Sequence, residues 1–197
     1  MHNYNSLNFV ILKYIVMKIR FIYRLLYQKI VGALRPVKYA KKIGVNCQED
    51  IYIYGRVSWG TEPWIITLGN NVHITNGVKF ITHDGGTLLF RHVIPDLEIT
   101  KPITVGNNVY IGNNVIILPG VNIGSKVIIG AGAIVSRDIP DNSVAVGVPA
   151  KVIKTADEYF EKLQRDSLHL GHLVGEEKDK ALKKFYKYEG TSKGIYF

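Results

Sequence analysis

The chain has 197 residues, with 25 Lys and Arg against 16 Asp and Glu, a net charge of +9, and 47% apolar side chains. That suits one globular domain with a real core plus short appendages. The single cysteine, Cys47, excludes an internal disulfide and reads as a small core residue of a protein from a reducing compartment.

The charge is concentrated at the start. Residues 1–48 hold nine basic side chains (Lys13, Lys18, Arg20, Arg24, Lys29, Arg35, Lys38, Lys41, Lys42) and no Asp or Glu, while the remainder holds 16 of each sign. Phe9, Tyr14, Phe21, Tyr23 and Tyr27 lie among Ile, Leu and Val in this stretch. A basic residue interrupts it every few positions, which excludes a spanning helix. The pattern of a charged start followed by an unbroken apolar run does not fit it either, so a secretory signal is not expected. Residues 1–42 are therefore expected to form a basic amphipathic helical segment, lying on an anionic membrane surface or packed on protein. No nucleic-acid-binding motif accompanies the charge, so nucleic acid is not expected as a partner.

A weak repeat follows: Ile43-Gly44 with Cys47, Leu68-Gly69 with Val72, Ile74 with Val78, then Phe80. It stops at Phe80 and resumes near Ile103, leaving a loop over 83–102 that reads ITHDGGTLLFRHVIPDLEITKP with its flanks. Beyond it the period is six. Val105, Ile111, Ile117, Ile123, Ile129 and Val135 occupy one position, and Val109, Val115, Val121, Val127, Ala133 and Ile139 the position four places on. A six-residue period is neither helical nor the simple alternation of a half-buried strand. It suits a short flat strand and a turn wound into a prism, three hexads to a coil, with the aliphatic residue inward and stacked on its equivalents. Gly or Asn next to it suits a turn that crowds Cβ or needs positive φ. After the prism, residues 155–197 are expected to be helical. Thr155 and Glu158 have capping-box spacing, and a second helix is expected from Glu176 to about Tyr188.

The hexads, the run ITVGNNVYIGNNVIILPGVNIGSKVIIGAGAIVSRDIPDNSVAVGVPAKVIK and the loop FITHDGG resemble the hexapeptide-repeat acyltransferases. Within that family they are most similar to the sugar and capsular-polysaccharide O-acetyltransferases, relatives of the galactoside, maltose and xenobiotic enzymes. The resemblance implies a mainly β chain: a left-handed parallel β-helix over 43–154, with the protruding loop, the N-terminal segment and C-terminal helices attached. It implies a homotrimer with active sites between subunits, acetyl-CoA as co-substrate, no metal, and a cytoplasmic location that allows contact with the inner membrane face. His83 matches the catalytic histidine. Imidazole exchanges its proton near neutral pH, so it can deprotonate an acceptor hydroxyl attacking a thioester and return the proton to the departing thiolate.

Asp84 is the adjacent candidate to orient that ring, provided that it lies in a turn, since neighbours on a strand point oppositely. Asp96, Glu98, a backbone carbonyl, or a purely turn-forming role for Asp84 are the alternatives. Arg91, His92 and Trp64 are candidate acceptor contacts; Phe90 and Arg91 read equally as loop anchors, and Trp59 and Trp64, in the irregular SWGTEPW stretch, as apolar anchors. His73 is expected in a turn. For the donor, the resemblance places Asn113 and Ala131 along the pantetheine arm and Ser136, Arg137, Lys151 and Lys154 near the phosphates.

Three rival activities are weighed: N-acetylation of an amino sugar, acetylation of an antibiotic, and a β-helix carbonic anhydrase. The last needs three metal-binding histidines, and His73, His83 and His92 lack the close pair expected there. A non-catalytic scaffold is the remaining class. The acceptor itself is not readable, because acceptor pockets are built from variable loops.

Overall fold

A computed structural model describes residues 13–14, 16–20, 22–23 and 30–191. Phe9, Phe21, Arg24, Tyr27 and Lys29 of the basic segment lie outside the described residues. Residues 16–20 and 30–34 are helical, and helix α1 (Pro36–Lys42) follows, with Pro at its first turn, where a missing N–H breaks no helical bond. The chain divides into two compact units, Met1–Ala156 and Asp157–Phe197.

The first unit is a prism with three sheet sides. One side carries β1 (Asn46–Cys47), β3 (Ile66–Leu68), β6 (Ile103–Val105) and β9 (Asn122–Ile123). The second carries β2 (Ile51–Ile53), β4 (Val72–Ile74), β7 (Val109–Ile111), β10 (Val127–Ile129), β12 (Ser143–Val146) and β13 (Lys151–Thr155). The third carries β5 (Lys79–Phe80), β8 (Ile116–Ile117) and β11 (Ile134–Val135). Consecutive strands pass from side to side as far as β12, and the pairing of strands is parallel except for β13, which stays on the second side and runs antiparallel to β12.

The register shows why the sequence has its beat. Val109 pairs with Val127 and Ile116 with Ile134, so one coil takes 18 residues (127 − 109 = 18; 134 − 116 = 18), the three hexads expected. Ile51, Val72, Val109 and Val127 form one inward column, and Phe80, Ile117 and Val135 another; all are buried. Because a coil buries its inward residues only against the coils above and below, each column needs an aliphatic or aromatic side chain at every level.

Two interruptions break this register. Ile51 pairs with Val72, 21 residues on (72 − 51 = 21), three more than a coil. Ile66 pairs with Ile103, 37 residues on (103 − 66 = 37), nineteen more than a coil. The columns admit no extra residue, so both insertions are expelled from the prism wall. The first contains the 3-10 turn Pro63–Ile65, the second the 3-10 turn Gly85–Phe90.

Trp59 is a core residue: its ring stacks on Phe80 with centroids 5.0 Å apart and planes 9° apart. His73 is not in a turn. It lies on β4, stacked on Tyr52 at 4.6 Å, with Nδ1 2.8 Å from the Tyr54 hydroxyl and Nε2 2.9 Å from Asn71 Oδ1. Cys47 is half-buried against the core, and that burial raises its thiol pKa.

The second unit carries most of α2 (Ala156–Asp166) and all of α3 (Gly175–Phe185), the latter ending before the expected Tyr188. Asp157 and Glu158 open the one and Glu176 and Glu177 the other, where negative charge suits the positive end of the helix dipole.

Phe80 lies in an inward column and is fully buried beneath Trp59. Phe80→Ala is expected to lower unfolding free energy by about 3–5 kcal/mol, read by denaturant titration at fixed protein concentration against the wild type.

Candidate active site

The two expelled segments meet. His83 ends the strand line that continues from β5, and its backbone bridges antiparallel to Thr100 at the neck of the loop. Asp84 N–H donates to the Ile99 carbonyl at 2.9 Å, and Lys101 N–H to the Thr82 carbonyl at 2.9 Å, so the neck is stitched on both sides of His83. The ring leans towards the three-residue insertion: Nδ1 lies 3.0 Å from Thr61 Oγ1 and 3.2 Å from Glu62 Oε2.

Glu62 is held in place by more than the ring. The buried Thr82 hydroxyl donates to Glu62 Oε2 at 2.6 Å. Hydrogen bonds from Thr61 and Thr82, and then the neighbouring His83, hold the Glu62 carboxyl below its usual range against the opposing effect of desolvation. Gly60 makes this approach possible. Its φ is +69°, and a Cβ there would stand 2.7 Å from Thr82 Oγ1, inside van der Waals contact with the hydroxyl that grips Glu62.

This geometry assigns the proton on the ring. A carboxylate only accepts, so the nitrogen facing Glu62 carries the hydrogen and Nε2 keeps the lone pair. Nε2 has no partner among the described residues. The side chain is 40% exposed and lines an open cavity of about 370 Å³ together with Thr61, Glu62, Asp84, Thr87, Arg91 and Glu98.

The expectation for Asp84 is corrected. It does lie at a turn, but its Oδ1 accepts from Gly86 N–H at 2.8 Å and caps the 3-10 turn, the Asx role weighed above; the carboxylate against the ring belongs to Glu62. Arg91, which lines that cavity, and His92 also hold the loop. Arg91 donates to the Leu97 carbonyl at 3.0 Å and to Glu98 Oε2 at 2.6 Å, and His92 Nδ1 meets the Leu89 carbonyl at 2.9 Å; both staple the loop. Trp64 is 64% exposed and borders a separate cavity.

The positions expected to hold the donor fall in two places. Asn113 and Ala131 lie at one prism corner on successive coils, joined by Gly132 N–H donating to the Asn113 carbonyl at 2.8 Å. Gly112 keeps that corner tight, since a Cβ there would stand 2.6 Å from Ala131 N. Ala131 is exposed and its N–H donates to no group among the described residues. Ser136 and Arg137 follow on the same coil past β11, both exposed, whereas Lys151 and Lys154 lie on β13. None of these six lines the His83 cavity. Among the described residues no group of three or more His, Cys, Asp or Glu is placed to hold a metal ion.

Glu62 was not a candidate from the sequence. The available signal was the departure of SWGTEPW from the hexad beat, which marks where the wall opens.

The chain is similar to known proteins. The family model described as bacterial transferase hexapeptide (six repeats) matches residues 102–137. Protein CapG of Staphylococcus aureus is 44% identical over 125 residues, 62% of this chain and 73% of its own length. Galactoside O-acetyltransferase of Escherichia coli K12 is 42% identical over 98 residues, 49% of this chain and 47% of its own length. The chain spans about half the length of that enzyme and of the other curated relatives that follow CapG. Among solved structures, a galactoside acetyltransferase in complex with coenzyme A aligns with a TM-score of 0.54 at 28% identity, covering 71% of this chain and 80% of the other. A maltose O-acetyltransferase from Clostridium difficile 630 aligns with a TM-score of 0.50 at 27% identity, covering 72% and 88%. The prism is thus a left-handed parallel β-helix, and the chain belongs to the hexapeptide-repeat acyltransferases.

Proposed function

We propose that the protein moves an acetyl group from acetyl-CoA to a hydroxyl of a sugar or surface-glycan precursor, with His83 as general base. The observation that carries this reading is the ring itself: Nδ1 lies against Glu62 and Thr61, while Nε2 has no partner among the described residues on a ring that lines a cavity. Relatives named for O-acetyl transfer to galactosides and maltose, one of them solved with coenzyme A, support the same chemistry.

Acetyl-CoA supplies the thioester. His83 Nε2 takes the acceptor hydroxyl's proton as the oxygen bonds to the carbonyl carbon, and returns it to the sulfur as the carbon–sulfur bond breaks. Glu62 fixes the tautomer and offsets the positive charge that the ring carries between those two transfers. It is a positioning residue, acting through His83.

Asn113 and Ala131 fit the pantetheine arm, because an exposed backbone N–H at a crowded, glycine-tightened corner can pair with its amides. Ser136, Arg137, Lys151 and Lys154 offer the hydroxyl and cations that phosphates need. Since none of them lines the cavity of its own His83, a second copy of the chain would present the donor to that ring. A homotrimer with sites between neighbours satisfies this, as the family resemblance implies.

No helix among the described residues is long and apolar enough to cross a membrane. Met17, Ile19, Ile22 and Tyr23 are exposed beside Lys18 and Arg20, which supports peripheral contact with an anionic bilayer at the cytoplasmic face. The full chain is expected to co-sediment with vesicles rich in anionic lipid at low salt and to be released by high salt.

His83→Ala is expected to lower kcat about 10²–10⁴-fold in a thiolate-release assay while binding of coenzyme A, read by calorimetry, persists. Full transfer by that variant would exclude His83 as the base. The lowered Glu62 pKa has a stability counterpart. Its contribution is complete above the usual glutamate value of 4.5 and is lost as pH falls through the depressed folded-state value. The stability gap between wild type and Glu62→Gln, from urea titrations across pH, is therefore expected to be flat above 4.5 and to close below it.

A further inference from the structure

A second cavity, of about 540 Å³, adjoins the first: Thr61 lines both. Its size lies within the ~300–1,000 Å³ common for small-molecule sites. Two cations border it. Arg56 and Lys79 belong to consecutive coils, tied by the parallel bridge of Ser58 to Lys79 and by Gly77 N–H donating to the Arg56 carbonyl at 2.8 Å. Among the described residues neither side chain meets a carboxylate. Trp64 stands on the same wall with most of its surface open, an apolar face of the kind that covers a sugar's C–H groups.

The position of the pair argues against a role with the donor's phosphates. Arg56 N–H donates to Asn76 Oδ1 at 2.9 Å, and Asn76 N–H to Asn113 Oδ1 at 3.1 Å. A ladder thus runs along one prism corner from Arg56 through Asn76 to Asn113 and on to Ala131. Arg56 is three steps along this ladder from Ala131, so the pair stands apart from Arg137, Lys151 and Lys154, and the cavity it borders adjoins that of its own chain's His83. Two cations that meet no carboxylate among the described residues, in a cavity adjoining that of His83, disfavour a basic acceptor. They offer charge-assisted hydrogen bonds to an acidic one, bidentate from Arg.

We propose that Arg56 and Lys79 form an anion subsite that selects acceptors carrying a carboxylate or phosphate on the sugar, with Trp64 against the ring. This rests on the O-acetyltransferase reading above. The acceptor's charge belongs either to an acidic sugar or to a sugar phosphate, and the two are separable by assay.

The test uses the full chain, acetyl-CoA and a panel of hexoses, each as neutral methyl glycoside, uronate and 1-phosphate, with thiolate release and acetylated product both measured. The wild type should favour charged members, and which one it favours identifies the source of the charge. Arg56→Gln and Lys79→Gln should each lower the ratio of kcat/KM for charged over neutral acceptor about 10- to 100-fold. Lys79→Arg, which keeps the charge, should retain the preference, so that loss through misfolding is recognised. Equal use of neutral and charged members, or a preference that survives both Gln variants, overturns the subsite alone. A wild type that acetylates no member of the panel overturns the acetyltransferase reading as well.

Discussion

The structure depends on one constraint: a coil of this prism buries its inward side chains only if the coils above and below present theirs at the same level. Val109 on Val127 and Ile116 on Ile134 hold that alignment at 18 residues per coil. The contact is apolar and undirected, yet it acts as a strict ruler, because one residue too many would turn a column's aliphatic side chain outward. Extra residues survive only where they leave the wall. Chemistry that needs polar side chains close together is thereby confined to the places where the ruler is interrupted.

Both interruptions before the regular coils serve one ring. The short one supplies Thr61 and Glu62, the long one carries His83 and closes behind it through the Asp84–Ile99 and Thr82–Lys101 backbone bonds. Thr82, buried in the wall, joins the two by donating to Glu62. The ring is therefore tied through Glu62 to the buried Thr82 and not to the tip of its own loop. The tip is stapled separately by Arg91 on Glu98 and Leu97.

The fold was legible because its demands repeat. Six successive aliphatic residues at each of two positions can be read from a string of letters, as can the place where they stop. His83 was legible as the titratable residue at that stop. Glu62 was not: its contact with His83 depends on a three-residue excess in the coil above, and the pairing that brings the two together is visible only once Ile51 is known to lie on Val72. Asp84 departs from its expected role for a related reason. A residue next to the histidine is near it in sequence, but a glycine pair follows, and an aspartate there finds the Gly86 N–H before it finds the ring. The loop contacts of Arg91 and His92 could not be read in detail, because the carbonyls and carboxylate that they meet belong to the loop's own folded path.

The last strand has a consequence for the molecule as a particle. A stack of identical rungs has no intrinsic end, and an open parallel rung could accept another chain's rung and grow into a fibre. Here β13 returns antiparallel on β12, with a bulge between Val144 and Ala145, and it carries Lys151 and Lys154. At the opposite end α1 packs over β1 and β2, with its own Ala40 buried. A reversed, charged terminus and a helical lid let the column finish, so a fold whose geometry invites endless extension comes to a definite stop at each end.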